Sequence, residues 1–230
     1  MKKIKISYIL NIIIVIMTII GFITMLTNFK FMHGQETTIA SSPNGRFRFF
    51  TIDSNLLIGI VTFIFLLQER KLLKGEITKI KRIFYILKYV GTCAVGLTLG
   101  VVVLYLEWLT PYGPLSMYMN TNLFFHGLIP LLSVITFIFF EKSNNLKIKD
   151  TIFGMIPTMI YAIYYITNIL IHIENKMVSL DYDWYYFVQA GINTFIKMIV
   201  IIIGFSYIIC LGLWFLNKEK NVKNHFDNRV

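Results

Sequence analysis

The sequence predicts an all-α polytopic membrane protein, a bundle of six transmembrane helices with both termini cytoplasmic. Three observations carry this. The 230 residues are 56% hydrophobic and only 15% charged, against roughly 25% charged in a soluble domain, and mean hydropathy is +0.67. Six apolar runs each approach the ~20 residues that cross a bilayer. Lys and Arg gather in alternate connecting segments, the signature of cytoplasmic loops. The net charge of +10 is therefore read as topology and not as a nucleic-acid surface, so no nucleic acid is expected as a partner.

The six spans are placed at 6–26, 47–67, 83–106, 120–140, 151–172 and 195–216, within a single integral membrane domain covering 1–230. Hydrocarbon offers the backbone no hydrogen-bond partners, so each run is expected to be helical despite its content of Ile, Val and Phe. The first span follows Lys2, Lys3 and Lys5. It is long and ends without a small-residue cleavage site, so it reads as a retained span and not a signal peptide. Sixteen basic residues fall on one side: the N-terminal three, six from Arg70 to Arg82, Lys142, Lys147 and Lys149, and four from Lys218 to Arg229. Four fall on the other: Lys30, Arg46, Arg48 and Lys176. The crowded side is assigned to the cytoplasm of a cell membrane. Seventeen Lys against five Arg, with abundant Ile and Asn, fits an AT-rich bacterial genome.

The outer loops carry a turn-forming cluster, Ser41-Ser42-Pro43-Asn44-Gly45, and aromatic groups at Trp108, Tyr112, Tyr118 and 184–187. Trp and Tyr favour the membrane–water boundary, so these are expected to form an outer belt or the rim of a cavity. Cys93 and Cys210 lie within predicted spans, so neither a disulfide framework nor a metal site is expected. Lys88 and Lys197 are expected to snorkel to the headgroups. Gly96 and Gly100 are expected to allow close helix packing.

Polar side chains at membrane depth are costly and are functional candidates by default. The second span opens Phe49-Phe50-Thr51-Ile52-Asp53-Ser54-Asn55. Thr51 and Asn55 share a helix face. Thr51 or Ser54 at a helix start can simply be a cap, but a span beginning at residue 47 places Thr51 about one turn inside. In the fourth span Asn122, His126 and Pro130 recur every four residues, which in a regular α-helix is one face. Gly127 permits close approach, and Pro130 frees a carbonyl near residue 126. His126 reads equally as a packing histidine or a catalytic base. Rises of about 6 Å and 9 Å from the outer ends put Thr51 and His126 in one slab, where an imidazole can take a hydroxyl proton and activate the oxygen. His172 is the only other histidine near a span that could join His126, as a haem pair.

The two motifs, residues 49–57 and Asn122…His126…Pro130, resemble the six-helix family of androgen-induced and androgen-dependent membrane proteins and its bacterial relatives. The resemblance implies a threonine hydrolase of fatty acid esters of hydroxy fatty acids, with Thr51 as nucleophile and His126 as base. Residues 184–187 stand where bacterial relatives often carry a Tyr-Pro-Phe-like stretch, and lack its proline. Asn55, Asn122, Ser54 and Trp184 are then the substrate-binding candidates, with Asn55 or Asn122 offered as an oxyanion donor. Ser54 and Thr121 are fallback nucleophiles. The expected partners are membrane lipids and a lipid-like ester, with no cofactor and no assigned oligomeric state. The alternative is a non-catalytic carrier or binding protein for a lipid or small molecule.

Overall fold

The computed structural model describes residues 2–34, 44–143, 146–174, 177–179 and 181–218. Residues 41–43 of the turn-forming cluster, Lys176 and the basic tail from residue 219 lie outside the described residues. Six principal helices follow in order: α1 (Lys2–Thr27), α2 (Phe50–Leu73), α3 (Arg82–Val101), α4 (Ile129–Phe139), α5 (Thr151–His172) and α6 (Ile192–Asn217). Helix α3 continues as a π-helical turn over Val102–Leu106, and another π-helical stretch, Leu123–Leu128, leads into α4. No β-strand occurs among the described residues.

Five helices are long and apolar enough to cross a membrane: α1, α2, α3 with its extension, α5 with the turn before it, and α6. The fourth expected span is different. Its six π-helical and eleven α-helical residues cover about 25 Å or less, short of a hydrocarbon core of about 30 Å. Pro130, lacking an N–H, cannot donate to the His126 carbonyl, and the backbone before it winds wider.

Helix α3 is the hub, packing against α2, α4, α5 and α6. Polarity across α1 is inverted relative to a water-soluble helix. Ser7, Asn11, Ile14, Thr18, Gly21 and Met25 are buried at alternating spacings of four and three, while Ile9, Ile16, Ile20 and Ile23 are exposed. Such a distribution suits hydrocarbon surroundings, where small and polar residues hold helices together. A Cβ on Gly59 of α2 would lie 2.5 Å from Thr18 Cγ2, so α1 and α2 approach as closely as glycine allows. Gly96 and Gly100 of α3 meet Ile209 and Phe205 of α6, as expected of close helix packing.

Candidate active site

Helix α2 starts three residues later than the expected span. Phe49 is extended (φ −92°, ψ 133°) and helical geometry begins at Phe50. Thr51 is thus the second helical residue and does not sit one turn inside. No side chain of α2 caps this end. Instead the Phe50 N–H donates to the Tyr185 hydroxyl at 3.1 Å, and Tyr185 shares a hydrogen bond with Tyr161 of α5. Burial pushes the Tyr185 phenol up to about 12, so it remains a neutral cap.

Ser54 and Asn55 are buried and both turn back on Thr51. Ser54 Oγ donates to the Thr51 carbonyl at 3.0 Å and lies 3.0 Å from Thr98 Oγ1 of α3. Asn55 Nδ2 donates to the Thr51 carbonyl at 2.7 Å and to the Phe125 carbonyl at 2.9 Å. One amide thereby bridges the start of α2 to the residue preceding His126. Both Asn55 protons are spent, so its expected part as an oxyanion donor gives way to a positioning one. Its Oδ1 is buried without a partner.

His126 lies within the π-helical stretch, which bonds i→i+5, so Asn122, His126 and Pro130 do not follow the simple α-helical face. Its Nδ1 is 2.8 Å from the Met117 carbonyl. A carbonyl only accepts, so Nδ1 carries the proton and Nε2 keeps its lone pair. Nε2 has no hydrogen-bond partner among the described residues, nor has Thr51 Oγ1. No hydrogen bond joins these two groups to each other; the Asn55 bridge brings their chain segments together.

The remaining candidates are dispersed. Asn122 is half-buried at the head of the π-helical stretch. Thr121 Oγ1 is 3.4 Å from Thr24 Oγ1. Trp184 is buried, donates to the Tyr161 hydroxyl at 3.0 Å and packs on Tyr165. It belongs to the aromatic cluster that seats the loop between α5 and α6, and it does not form an open rim. Asp183 organises that loop: it accepts the N–H groups of Phe187, Val188 and Gln189, and the Tyr165 hydroxyl. His172 stacks on Tyr182 at 3.5 Å, its Nδ1 on the Asn168 carbonyl of its own helix.

A separate groove of about 360 Å³ opens between α2, α3 and α5. Its walls include Phe50, Leu57, Ile160, Tyr161 and Tyr164, with Asp53 and Ser54 as polar members. Neither Thr51 nor His126 lines it.

A buried ionic cluster at the opposite end of α2 is absent from the sequence-based expectations. Lys88, Glu69 and Glu141 are 0%, 2% and 3% exposed. Lys88 therefore does not snorkel. Its ammonium sits 2.8 Å from Asn11 Oδ1, 2.7 Å from Thr62 Oγ1 and 3.5 Å from Glu141 Oε1. Those partners cannot follow it to the headgroups, and their acceptors compensate its desolvation.

Comparison with known proteins finds no matching family model, no matching curated protein and no matching solved structure.

Proposed function

We propose that the chain is an integral membrane protein of six membrane-embedded helices with both termini cytoplasmic, and that it hydrolyses a lipid-like ester at Thr51 and His126. The carrying observation is the Asn55 bridge between the Thr51 and Phe125 carbonyls, because it holds an uncommitted hydroxyl and an oriented imidazole on adjacent segments. The resemblance to intramembrane threonine hydrolases points the same way.

In this reading Thr51 Oγ1 attacks the ester carbonyl while His126 Nε2 takes its proton. The tetrahedral centre collapses, the imidazolium returns the proton to the leaving alcohol, and an acyl-threonine remains. Water, deprotonated by the same Nε2, then releases the fatty acid and restores Thr51. Met117 holds the imidazole in the required tautomer through Nδ1, the part a carboxylate plays in many hydrolases. Hydrogen bonds of such pairs are often long before substrate binds, which accommodates the unpaired state of the two groups.

The test is covalent labelling of the purified protein with a fluorophosphonate, alongside turnover of a fluorogenic fatty acyl ester. The wild type is expected to label and to turn over. Thr51→Ala and His126→Ala are expected to lose labelling and about 10²–10⁴-fold in kcat/KM. Labelling that survives both substitutions overturns the assignment.

A second reading, a non-catalytic lipid or small-molecule binding protein, has its own support in the groove between α2, α3 and α5. An apolar trough with one carboxylate at Asp53 and flanking tyrosines suits an amphiphile bearing a cationic head. Ligand retention without labelling or turnover favours that reading.

A further inference from the structure

We propose that the buried cluster where α1, α2 and α3 meet the end of α4 is a proton-binding site, with one exchangeable proton held on Glu141. The inference is independent of ester hydrolysis and concerns the end of α2 away from Thr51.

The bonding pattern accommodates an ammonium beside two carboxyl groups. Asn11 donates through Nδ2 to Glu69 Oε2 at 2.9 Å and to Glu141 Oε1 at 2.8 Å. Its Oδ1 consequently faces Lys88 Nζ. That oxygen has no proton to give, so the lysine must donate. The three acceptors around Nζ, on Asn11, Thr62 and Glu141, match the three protons of an ammonium. The cluster thus holds one cation against two carboxylates. Ser7 adds a hydroxyl at 3.4 Å from Glu141 Oε1, and among the described residues α6 brings the uncharged Asn217, whose Nδ2 donates to the Glu141 carbonyl.

Glu141 Oε2 is left buried with no partner. An ionised oxygen in that position is strongly disfavoured. Protonation, RCOO⁻ + H⁺ → RCOOH, makes the cluster neutral without moving any other atom. Burial itself pushes the Glu141 carboxyl above the ordinary carboxylate range. A metal cation would need several converging oxygens, and among the described residues no group of three or more His, Cys, Asp or Glu converges. Ser7 lies near the start of α1, Glu69 near the end of α2, and Glu141 just past α4, so the proposal places proton exchange at that end of the bundle.

The sign of the pH effect follows. A carboxyl whose folded-state pKa is raised binds its proton more tightly folded than unfolded. Stability is then fully present below the ordinary carboxylate pKa and falls as pH rises towards the raised value, about tenfold in the folding constant per pH unit for one proton.

Infrared spectroscopy and thermal unfolding of the full chain in detergent, titrated over pH, test this. The wild type is expected to show a protonated-carboxyl C=O band near neutral pH and a melting temperature that falls as pH rises. Glu141→Gln, which mimics the neutral acid, is expected to fold, to lose the band and to lose that pH dependence. Glu69→Gln, which leaves Lys88 facing Glu141 alone, is expected to move the loss of the band to lower pH. The proposal is overturned if the wild type shows no such band at any pH where it is folded, or if the band survives in Glu141→Gln. It is equally overturned if Glu141→Gln fails to fold, or if unfolding responds to sodium and not to pH. The wild-type band needs no variant to read.

Discussion

Thr51 differs from most of the helical threonines in where its hydroxyl goes. Thr18, Thr24, Thr92, Thr151 and Thr194 each donate to a backbone carbonyl three or four residues earlier. For Thr51, second in its helix, the residues three and four earlier, 48 and 47, are not in α2, and its Oγ1 has no backbone partner among the described residues. The same absence of commitment marks His126 Nε2. Asn55 is the residue that ties the two chain segments together, through the Thr51 and Phe125 carbonyls. Asn55→Leu keeps the volume and removes both donors, leaving the Phe125 carbonyl buried without its partner. We expect a stability loss of about 1–3 kcal/mol, read by thermal unfolding, with ester turnover falling further than stability alone explains. Thr51 and His126 stand out in the sequence as candidates because a hydroxyl and an imidazole are conspicuous in apolar runs. The bridging role of Asn55 does not, because periodicity places it on the Thr51 face but says nothing of which helix that face meets.

At the scale of elements, the segment before α4 does the most. Pro130 withholds an N–H from the His126 carbonyl, and the chain answers with i→i+5 winding over Leu123–Leu128. Pro130→Ala restores that donor and favours a regular α-helix. The register of His126 then changes relative to Asn55 and Met117. Stability is expected to hold or rise while fluorophosphonate labelling falls, a separation that paired unfolding and labelling assays can read. Hydropathy located all six apolar segments, with Thr151–His172 coinciding at both ends. It misplaced the start of α2, since Phe47 and Phe49 on either side of Arg48 extend the aromatic run into the helix. The boundary is set by the Tyr185 hydroxyl from a distant loop, a tertiary contact with no local signal. Lys88 was misread for a related reason. Near a helix end a lysine ordinarily escapes to the headgroups, and only the convergence of Asn11, Thr62, Glu69 and Glu141 keeps it inside. Ser7 and Asn11, four apart on α1, and Thr62 and Glu69, seven apart on α2, were the available hint: polar residues on two helices that flank the Lys88 end of α3.

For the whole molecule, the inverted distribution of polar and apolar residues is the organising feature. Isoleucines coat the outside of α1, while serine, asparagine and threonine line its contacts with α2 and α4. The proposed topology makes a direct prediction. A C-terminal green fluorescent protein fusion should fluoresce in a bacterial host and a C-terminal alkaline phosphatase fusion should be inactive, with the reverse for fusions at residue 112. Active phosphatase at the C-terminus contradicts the cytoplasmic assignment. The molecule then has two polar centres at opposite ends of α2. Thr51 and His126 lie at its N-terminal end, and Glu69 with its lysine and second carboxylate at the other. At the first, Thr51 Oγ1 and His126 Nε2 have no hydrogen-bond partner among the described residues, and the second is saturated apart from one carboxylate oxygen.

The most direct measurement is peptide mapping by mass spectrometry of wild-type protein trapped with a fluorophosphonate. Our account predicts one adduct per chain, on Thr51, and none when His126 is replaced by alanine. An adduct on Ser54, Thr121 or any other hydroxyl, or one that forms undiminished without His126, contradicts it.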